Sequence, residues 1–259
     1  MDPVETGWFE ARKHPDARPP AAAGAAGRPP IGAHVLRFRR WIVRTALILL
    51  LGPALLVLVY RFVDPPVTPL MLLRLVQGES LHYRPVPLDH VSPHLAAAVI
   101  AAEDNLFCRH LGFDVAALRN ELDTWMDGER PRGASTISMQ TAKNILLWPG
   151  RDLLRKALEA WLTPQLELLW SKRRILEVYL NIAEMGPGVY GAEAAARRFF
   201  GRPASELGRR EAALLAAVLP NPRVWSAARP SPFIDRRASR IMRRMDRLGP
   251  LLDCVDDQS

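Results

Sequence analysis

Cysteine is nearly absent from this 259-residue chain, which holds only Cys108 and Cys254. Two cysteines so far apart supply neither a disulfide framework nor the short spacing of a cysteine metal site, and both are expected as free thiols. Strand signals are equally scarce, which argues against a β-sandwich or barrel. No Asp, Glu, Lys or Arg interrupts residues 45–60, and no small-x-small cleavage site follows Tyr60. Those two absences favour a retained membrane helix over a removed signal peptide, although Arg39-Arg40 hints at a twin-arginine signal. No RNA- or DNA-recognition motif is apparent.

Against these absences stand an apolar content of 49% and a formal net charge of +8. The apolar share suffices for one substantial core beside a smaller appendage. The charge, mostly arginine, calls for an acidic partner such as phosphate, anionic lipid or nucleic acid, without choosing among them.

Along the chain, residues 1–36 are rich in Pro, Ala, Gly and Arg and read as a disordered tail. Residues 41–61 read as a transmembrane helix with Trp41 and Tyr60 at its ends and Pro53 as a kink site. A linker over 62–80 opens with Asp64-Pro65-Pro66, a helical domain fills 81–250, and 251–259 form a C-terminal tail. Arg37, Arg39, Arg40 and Arg44 precede the span while only Arg61 follows closely, so the positive-inside rule leaves the tail in the cytoplasm and the domain outside.

Within the domain, punctuation predicts helix after helix. Ser92-Pro93 starts a helix ending near Gly112, Asp114 caps the next, and Ser135 or Thr136 opens one that stops around Trp148-Pro149-Gly150. A run from about Arg151 is kinked or divided at Thr163-Pro164, and Ser171 caps a helix to Gly186. Further helices span Ala192–Phe200, Glu211–Leu219 and Pro232–Leu248. The last sets Ala238, Ile241, Met242, Met245 and Leu248 on one side, with arginines elsewhere. It either rests on anionic headgroups or packs on the domain with a solvated basic face, the second being preferred.

Three clusters suggest chemistry. Glu103-Asp104 follow the apolar segment Leu95–Ala102, and Glu103, four residues after Val99, shares its inward face, where desolvation raises a carboxylate's proton affinity and suits it to act as a base. Phe107, His110, Gly112, Phe113 and Asp114 complete the pattern E-D-x-x-F-x-x-H-x-G-F-D. The second cluster, Gly133 to Asn144, gathers hydroxyls and free N–H groups at a helix N-terminus, with Lys143 two turns later, which suits a phosphate. The third is Arg155-Lys156-Ala157-Leu158-Glu159, where Arg155 and Glu159 share a helical face. Taken singly, each has an ordinary alternative: a solvated acidic pair, a Ser/Thr cap, and a surface salt bridge contributing about 0.3–0.5 kcal/mol.

In this order the clusters resemble the family-51 glycosyltransferases, in particular the monofunctional biosynthetic peptidoglycan glycosyltransferases. The resemblance runs from about His82 to Pro222 and includes a fourth block, Ile175-Leu176-Glu177-Val178-Tyr179-Leu180-Asn181. It implies a mainly α fold, a lysozyme-like helical glycosyltransferase domain preceded by a single transmembrane helix. The S-x-x-K, S-x-N and K-T-G signatures of a transpeptidase domain are not found, and too few residues remain after Asn221 to hold one.

The resemblance further implies polymerisation of lipid II into β-1,4 glycan strands in one inverting displacement. Glu103 is then the base, and Lys143 and Arg155, with Lys156 adjacent, stabilise the departing polyprenyl diphosphate. Glu159 is a second essential glutamate that orients those cations or a metal-bound diphosphate. Ser135, Thr136, Gln140 and Asn144 are assigned to substrate contact, and Asp104, Phe107 and His110 to shaping the site. Where the family has Gln-Gln, this chain has Met139-Gln140, harmless if Met139 faces the core. A divalent cation, Mg or Mn, accompanies the diphosphate, with no organic cofactor and no metal ligands assigned. Expected partners are lipid II, lipid-linked glycan, membrane lipids and cell-wall synthesis or division proteins, with no nucleic acid. The expected location is the bacterial inner membrane, with the catalytic domain in the periplasm.

A membrane-dipping jaw is expected from Leu118, Leu122, Trp125 and Met126 within residues 115–126, against the alternative of a core-packed helix. Two other functions stay open: a glycan-cleaving, lysozyme-like lytic enzyme, and a non-enzymatic anchored module that binds anionic ligands.

Overall fold

The computed structural model describes residues 31–129, 133–150 and 152–255. Contacts divide the chain between Ala46 and Leu47 into two compact units. Helix α1 (Ile31–Tyr60) supplies the described part of the first unit and opens the second. Within its Leu36–Tyr60 stretch an 18-residue window reaches a mean hydropathy of 2.5. At 1.5 Å per residue that stretch is roughly 37 Å long, more than the ~30 Å hydrocarbon thickness of a bilayer. Phe38, Trp41, Ile42 and Val43 in the first unit, and Leu47, Ile48, Leu51 and Leu55 in the second, are all exposed, an arrangement that suits lipid. Pro53 lies inside the helix without ending it. Residues 31–36, expected in the tail, are helical, while residues 1–30 of that tail lie outside the described residues.

In the second unit, residues 62–80 are more than a linker. They carry α2 (Pro69–Val76), whose Thr68 accepts a hydrogen bond from Met71 N, and Met71 is fully buried. Thr68-Pro69 is an N-cap and first-turn pair hidden beside the prolines taken for a linker. The chain continues through β1 (His82–Tyr83), α3 (Pro93–Glu103), α4 (Val115–Met126), α5 (Ile137–Leu146), α6 (Leu153–Leu169), α7 (Lys172–Ile182), β2 (Glu184–Gly186), β3 (Val189–Tyr190), α8 (Ala192–Phe200), α9 (Arg209–Val218) and α10 (Pro232–Met245). The strands form a small sheet in the order β1-β3-β2, parallel between β1 and β3 and antiparallel between β3 and β2. Strands of two or three residues leave no alternation to detect.

Helix α3 is apolar nearly all round and therefore central: Leu95, Ala98, Val99, Ile100 and Ala101 are buried, and it packs against α9 and α10. Small residues on α9, among them Ala212, Ala213, Ala216 and Ala217, are fully buried and permit close approach. On another side of the core α5 packs against α6 and α7. The end of α1 is tied in as well, since Val57 O accepts from Trp170 Nε1 at 2.7 Å and Tyr60 O from Arg174 Nη2 at 2.9 Å.

Ser92, Asp114, Thr136, Ser171 and Ser231 each cap a helix with the side chain. Asp152 does the same for α6, whose expected first residue, Arg151, lies outside the described residues. Several boundaries differ from the sequence reading, among them that of α10, which ends at Met245 and not at Leu248. Helix α3 ends at Glu103 because Asp104 turns extended, and a single 3-10 turn, Phe107–Arg109, follows. Helix α6 runs unbroken through Pro164, and α7 stops at Ile182, leaving Glu184–Gly186 to β2. After β3, Gly191 turns with φ of 84°, where a Cβ would stand 2.2 Å from Asn181 O, so only glycine fits.

Cys108 and Cys254 form a disulfide with Cα atoms 5.5 Å apart, which corrects the expectation of free thiols. Their 146-residue separation hid the pairing until the fold brought the 3-10 turn after α3 against the C-terminal segment. Residues 251–255 are accordingly no tail: Leu251 and Leu252 belong to a further 3-10 turn, Gly249–Leu252, and Val255 is buried, while 256–259 lie outside the described residues. We expect reduction, or a Cys108→Ser/Cys254→Ser pair, to cost about 2–4 kcal/mol of stability. Denaturant melts with and without reductant measure this, and coincident curves would contradict it.

Candidate active site

Glu103 occupies the last turn of α3, and its side chain is only 14% exposed. Its Oε2 accepts a hydrogen bond from Gln140 Nε2 on α5 at 3.0 Å, and Gln140 Oε1 in turn accepts from the hydroxyl of Tyr179 on α7 at 3.2 Å. Burial pushes the Tyr179 phenol well above its ordinary pKa, so it stays a donor and fixes which end of the amide faces Glu103. Oε1 faces Arg237 Nη2 on α10 at 3.9 Å. Desolvation raises the Glu103 pKa, opposed by the Gln140 hydrogen bond and the charges of Arg237 and Lys143 and reinforced by Asp104. The net shift is upward, which suits a group that must accept a proton.

Asp104 holds the frame. Oδ1 pairs with His110 Nε2 at 2.8 Å, and Oδ2 accepts from Ile137 N, the first amide of α5, at 3.0 Å. His110 Nδ1 accepts from Gly112 N at 3.2 Å, which leaves the ring proton on Nε2. Gly112 O accepts from Thr136 Oγ1 at 2.6 Å. A Cβ at Gly112 (φ 91°) would sit 2.6 Å from Thr163 Cγ2, so glycine keeps this turn closed.

The cations gather from α5 and α6. Arg155 and Glu159 are buried and joined by Nη1 to Oε2 at 2.5 Å, while Lys156 Nζ reaches Glu159 Oε1 at 2.6 Å and Ser135 Oγ at 3.1 Å. The pair is thus an interior one, unlike the surface salt bridge of the ordinary alternative. The buried Nε of Arg155 has no hydrogen-bond partner among the described residues, a rare state for such an atom. Desolvation lowers the Lys143 pKa, Glu159 and Glu103 raise it, and Arg155 and Lys156 lower it further. Lys143 therefore lies within electrostatic reach of the base and of the cation cluster together.

The structure brings Glu103, Gln140, Lys143, Arg155, Lys156, Glu159 and Ser135 into one neighbourhood and gives others a supporting part. Thr136 is buried, with its hydroxyl bonded to Gly112 O and to Met139 N at 3.2 Å, so it holds the α5 terminus. Phe107 is fully buried beneath Lys172 Nζ, 4.5 Å from its ring centre. Asn144 joins Lys143 in lining a cavity of about 130 Å³ with Leu147 and Trp148. Met139 is 3% exposed and fills the interior. No hydrogen bond or ion pair joins Glu103 to Glu159 among the described residues.

Arg237 was missed because α10 reads as a basic face. It lies three residues after buried Ile234 and next to buried Ala238, at the edge of the apolar stripe, and that placement was the available signal. Helix α10 packs on the domain through Ile234, Ala238, Ile241 and Met245, as preferred from its pattern. Helix α4 buries no residue, which removes the core-packed alternative, and Trp125 is 65% exposed.

A metal cage does not fit the side chains. Among the described residues no three His, Cys, Asp or Glu converge on a cation site, and both oxygens of Glu159 and of Asp104 are already engaged. The raised Glu103 pKa carries a stability consequence. Its favourable contribution is present below the unfolded pKa and is lost as pH rises through the folded pKa. We therefore expect Glu103→Gln to melt no lower than wild type at pH 7–8. A clearly lower melting temperature would contradict burial as the cause.

Comparison with known proteins agrees with this geometry. The transglycosylase family pattern matches residues 71–246. A biosynthetic peptidoglycan transglycosylase of Rhodospirillum centenum is 55% identical over 223 residues, covering 83% of this chain and 96% of its own length. That of Caulobacter vibrioides is 47% identical over 219 residues, with 84% and 96% covered. That of Pseudomonas fluorescens strain Pf-5 is 50% identical over 218 residues, with 82% and 90% covered. With the pattern spanning the whole of the described site and half of the residues shared along nearly the full length of these relatives, the chain belongs to the transglycosylase family.

Proposed function

We propose that this chain polymerises lipid II into peptidoglycan glycan strands, with Glu103 as base and Lys143, Arg155 and Lys156 as the diphosphate site. The acceptor's 4-hydroxyl gives its proton to the Glu103 carboxylate as its oxygen bonds to the anomeric carbon of the lipid-linked strand. The bond from that carbon to the diphosphate breaks with inversion, and the electron pair leaves on the diphosphate oxygen. Cations fixed where this charge develops lower the barrier without reorganising. Glu159 keeps Arg155 and Lys156 in place.

One observation carries the reading: a buried, proton-seeking carboxylate lies within the field of a lysine that also feels the Arg155–Lys156–Glu159 cluster. A cleaving enzyme has no diphosphate to stabilise and no use for that cluster. The divalent cation, on this reading, is held by the substrate's diphosphate oxygens, and no protein step passes through it.

The apolar N-terminal helix anchors the chain in a membrane, where both substrates carry polyprenyl tails. We place the N-terminus in the cytoplasm and the domain in the periplasm, supported by the arginines before the span and by the Cys108–Cys254 bond, which persists in an oxidising compartment. Exposed Leu118, Leu122, Trp125 and Met126 on α4 support its dipping into the lipid surface.

Purified full-length protein given lipid II and Mg²⁺ should form polymer. Glu103→Gln should lower the rate by about 10²–10⁴-fold and Lys143→Met by about 10²–10³-fold. Polymerisation by Glu103→Gln at the wild-type rate would overturn the assignment of the base.

A further inference from the structure

Arg237 lies outside every motif that assigned the site, yet its only ion pair among the described residues is with the carboxylate that does the chemistry. Its Nε donates to Ala217 O at 3.1 Å, a carbonyl in the last turn of α9, where helix ends attract cations. That bond fixes the guanidinium stem and aims Nη2 at Glu103 Oε1 from 3.9 Å, too far for a hydrogen bond and close enough for a strong field. Oε2 is occupied by Gln140. Oε1 is therefore the oxygen left open to a proton, with a fixed positive charge behind it.

We propose that Arg237 is a positioning residue for the transfer reaction: held on α9 and facing Glu103 Oε1, it keeps the base ionised between turnovers, while Gln140 on Oε2 leaves Oε1 to accept the proton. The inference rests on the reading of Glu103 as the base. An apolar pocket alone would protonate the carboxyl and silence it, and a directly hydrogen-bonded arginine would block the accepting lone pair. A cation just beyond contact avoids both outcomes. Once Oε1 is protonated, Arg237 loses its counter-charge inside the protein, which favours release of the proton to solvent and restores the base.

The other charges around Glu103 do not duplicate this part. Lys143 on α5 is shared with Glu159, and Asp104 on the same chain segment opposes ionisation. From α7 comes only the neutral Tyr179. On α10, Arg244 Nη1 contacts Ala101 O at 3.5 Å, and Arg247 lies with it across an open cavity of about 430 Å³ from Glu103. On α9, Arg209 turns to Met242 O and Asp246, Arg210 to Asp235, and Glu211 to Gly208 N and Arg202. The neighbouring Arg240 and Arg244 act on Arg237 itself, whose proton affinity burial lowers and Glu103 raises.

The test is the pH profile of kcat/KM for lipid II polymerisation by the full-length protein, for wild type, Arg237→Gln and Arg237→Lys, with thermal melts alongside. The acid limb should move to higher pH in Arg237→Gln, so that the ratio of rates at pH 8 and pH 5 grows by roughly tenfold. Arg237→Lys, which keeps the charge without the Nε bond, should hold that ratio within about twofold of wild type. An unmoved limb in a folded Arg237→Gln overturns the inference, since a merely structural role predicts a lower melting temperature with the same profile. If Arg237→Gln does not fold, a tenfold displaced ratio in Arg237→Lys overturns it instead. These outcomes are read where Glu103→Gln is inactive, so failure of the base itself remains distinguishable.

Discussion

Ionising a carboxyl group inside an apolar helix costs free energy, and the site is built around containing that cost at Glu103. Helix α3 is buried on nearly every side because it is the element against which α9 and α10 close. Glu103 sits in its last turn, where the negative end of the helix dipole adds to desolvation in disfavouring charge. Its surroundings then answer with one hydrogen-bond donor, Gln140, and cationic fields from Arg237 and Lys143. The balance leaves a carboxyl group of raised proton affinity that is still ionisable, as the proposed base requires. Such a site sacrifices stability for chemistry, as functional sites commonly do.

Around this carboxylate, several polar residues of the motifs are bonded to other parts of the protein. Asp104 joins His110 to the first amide of α5, Thr136 joins Gly112 to the same terminus, and Tyr179 sets the amide of Gln140. Asn181, in the fourth block, pairs with both backbone groups of Val86 at 3.1 and 2.9 Å and stitches an extended segment to α7. Together they fix three helices at the distances the reacting groups need. The motifs are long because precise placement of a few charged groups takes many supporting hydrogen bonds.

The sequence disclosed this arrangement unevenly, for physical reasons. Helix starts were legible because Ser92, Asp114, Thr136 and Ser171 announce caps by local chemistry. Helix ends were less so: the α3 stop depends on Asp104 reaching Ile137 N, a partner 33 residues away. The short strands, the burial of Met71 and the Cys108–Cys254 bond likewise rest on contacts distant in sequence. At the site, Glu103, Lys143, Arg155 and Glu159 were visible through motif spacing. Arg237 was not, since its meaning comes from how α10 docks and its own neighbourhood looks like any basic surface.

Within the second unit, the end of α1 is tied to the helical domain through backbone carbonyls of Val57 and Tyr60 that accept from Trp170 and Arg174. The proposed chemistry turns on the protonation state of a single carboxyl group. Carbon-13 NMR titration of glutamate carboxyls in the intact protein, with Glu103→Gln identifying the resonance, reads that state directly. The account requires the Glu103 signal to titrate above an ordinary glutamate; a midpoint at or below that of exposed glutamates would contradict it.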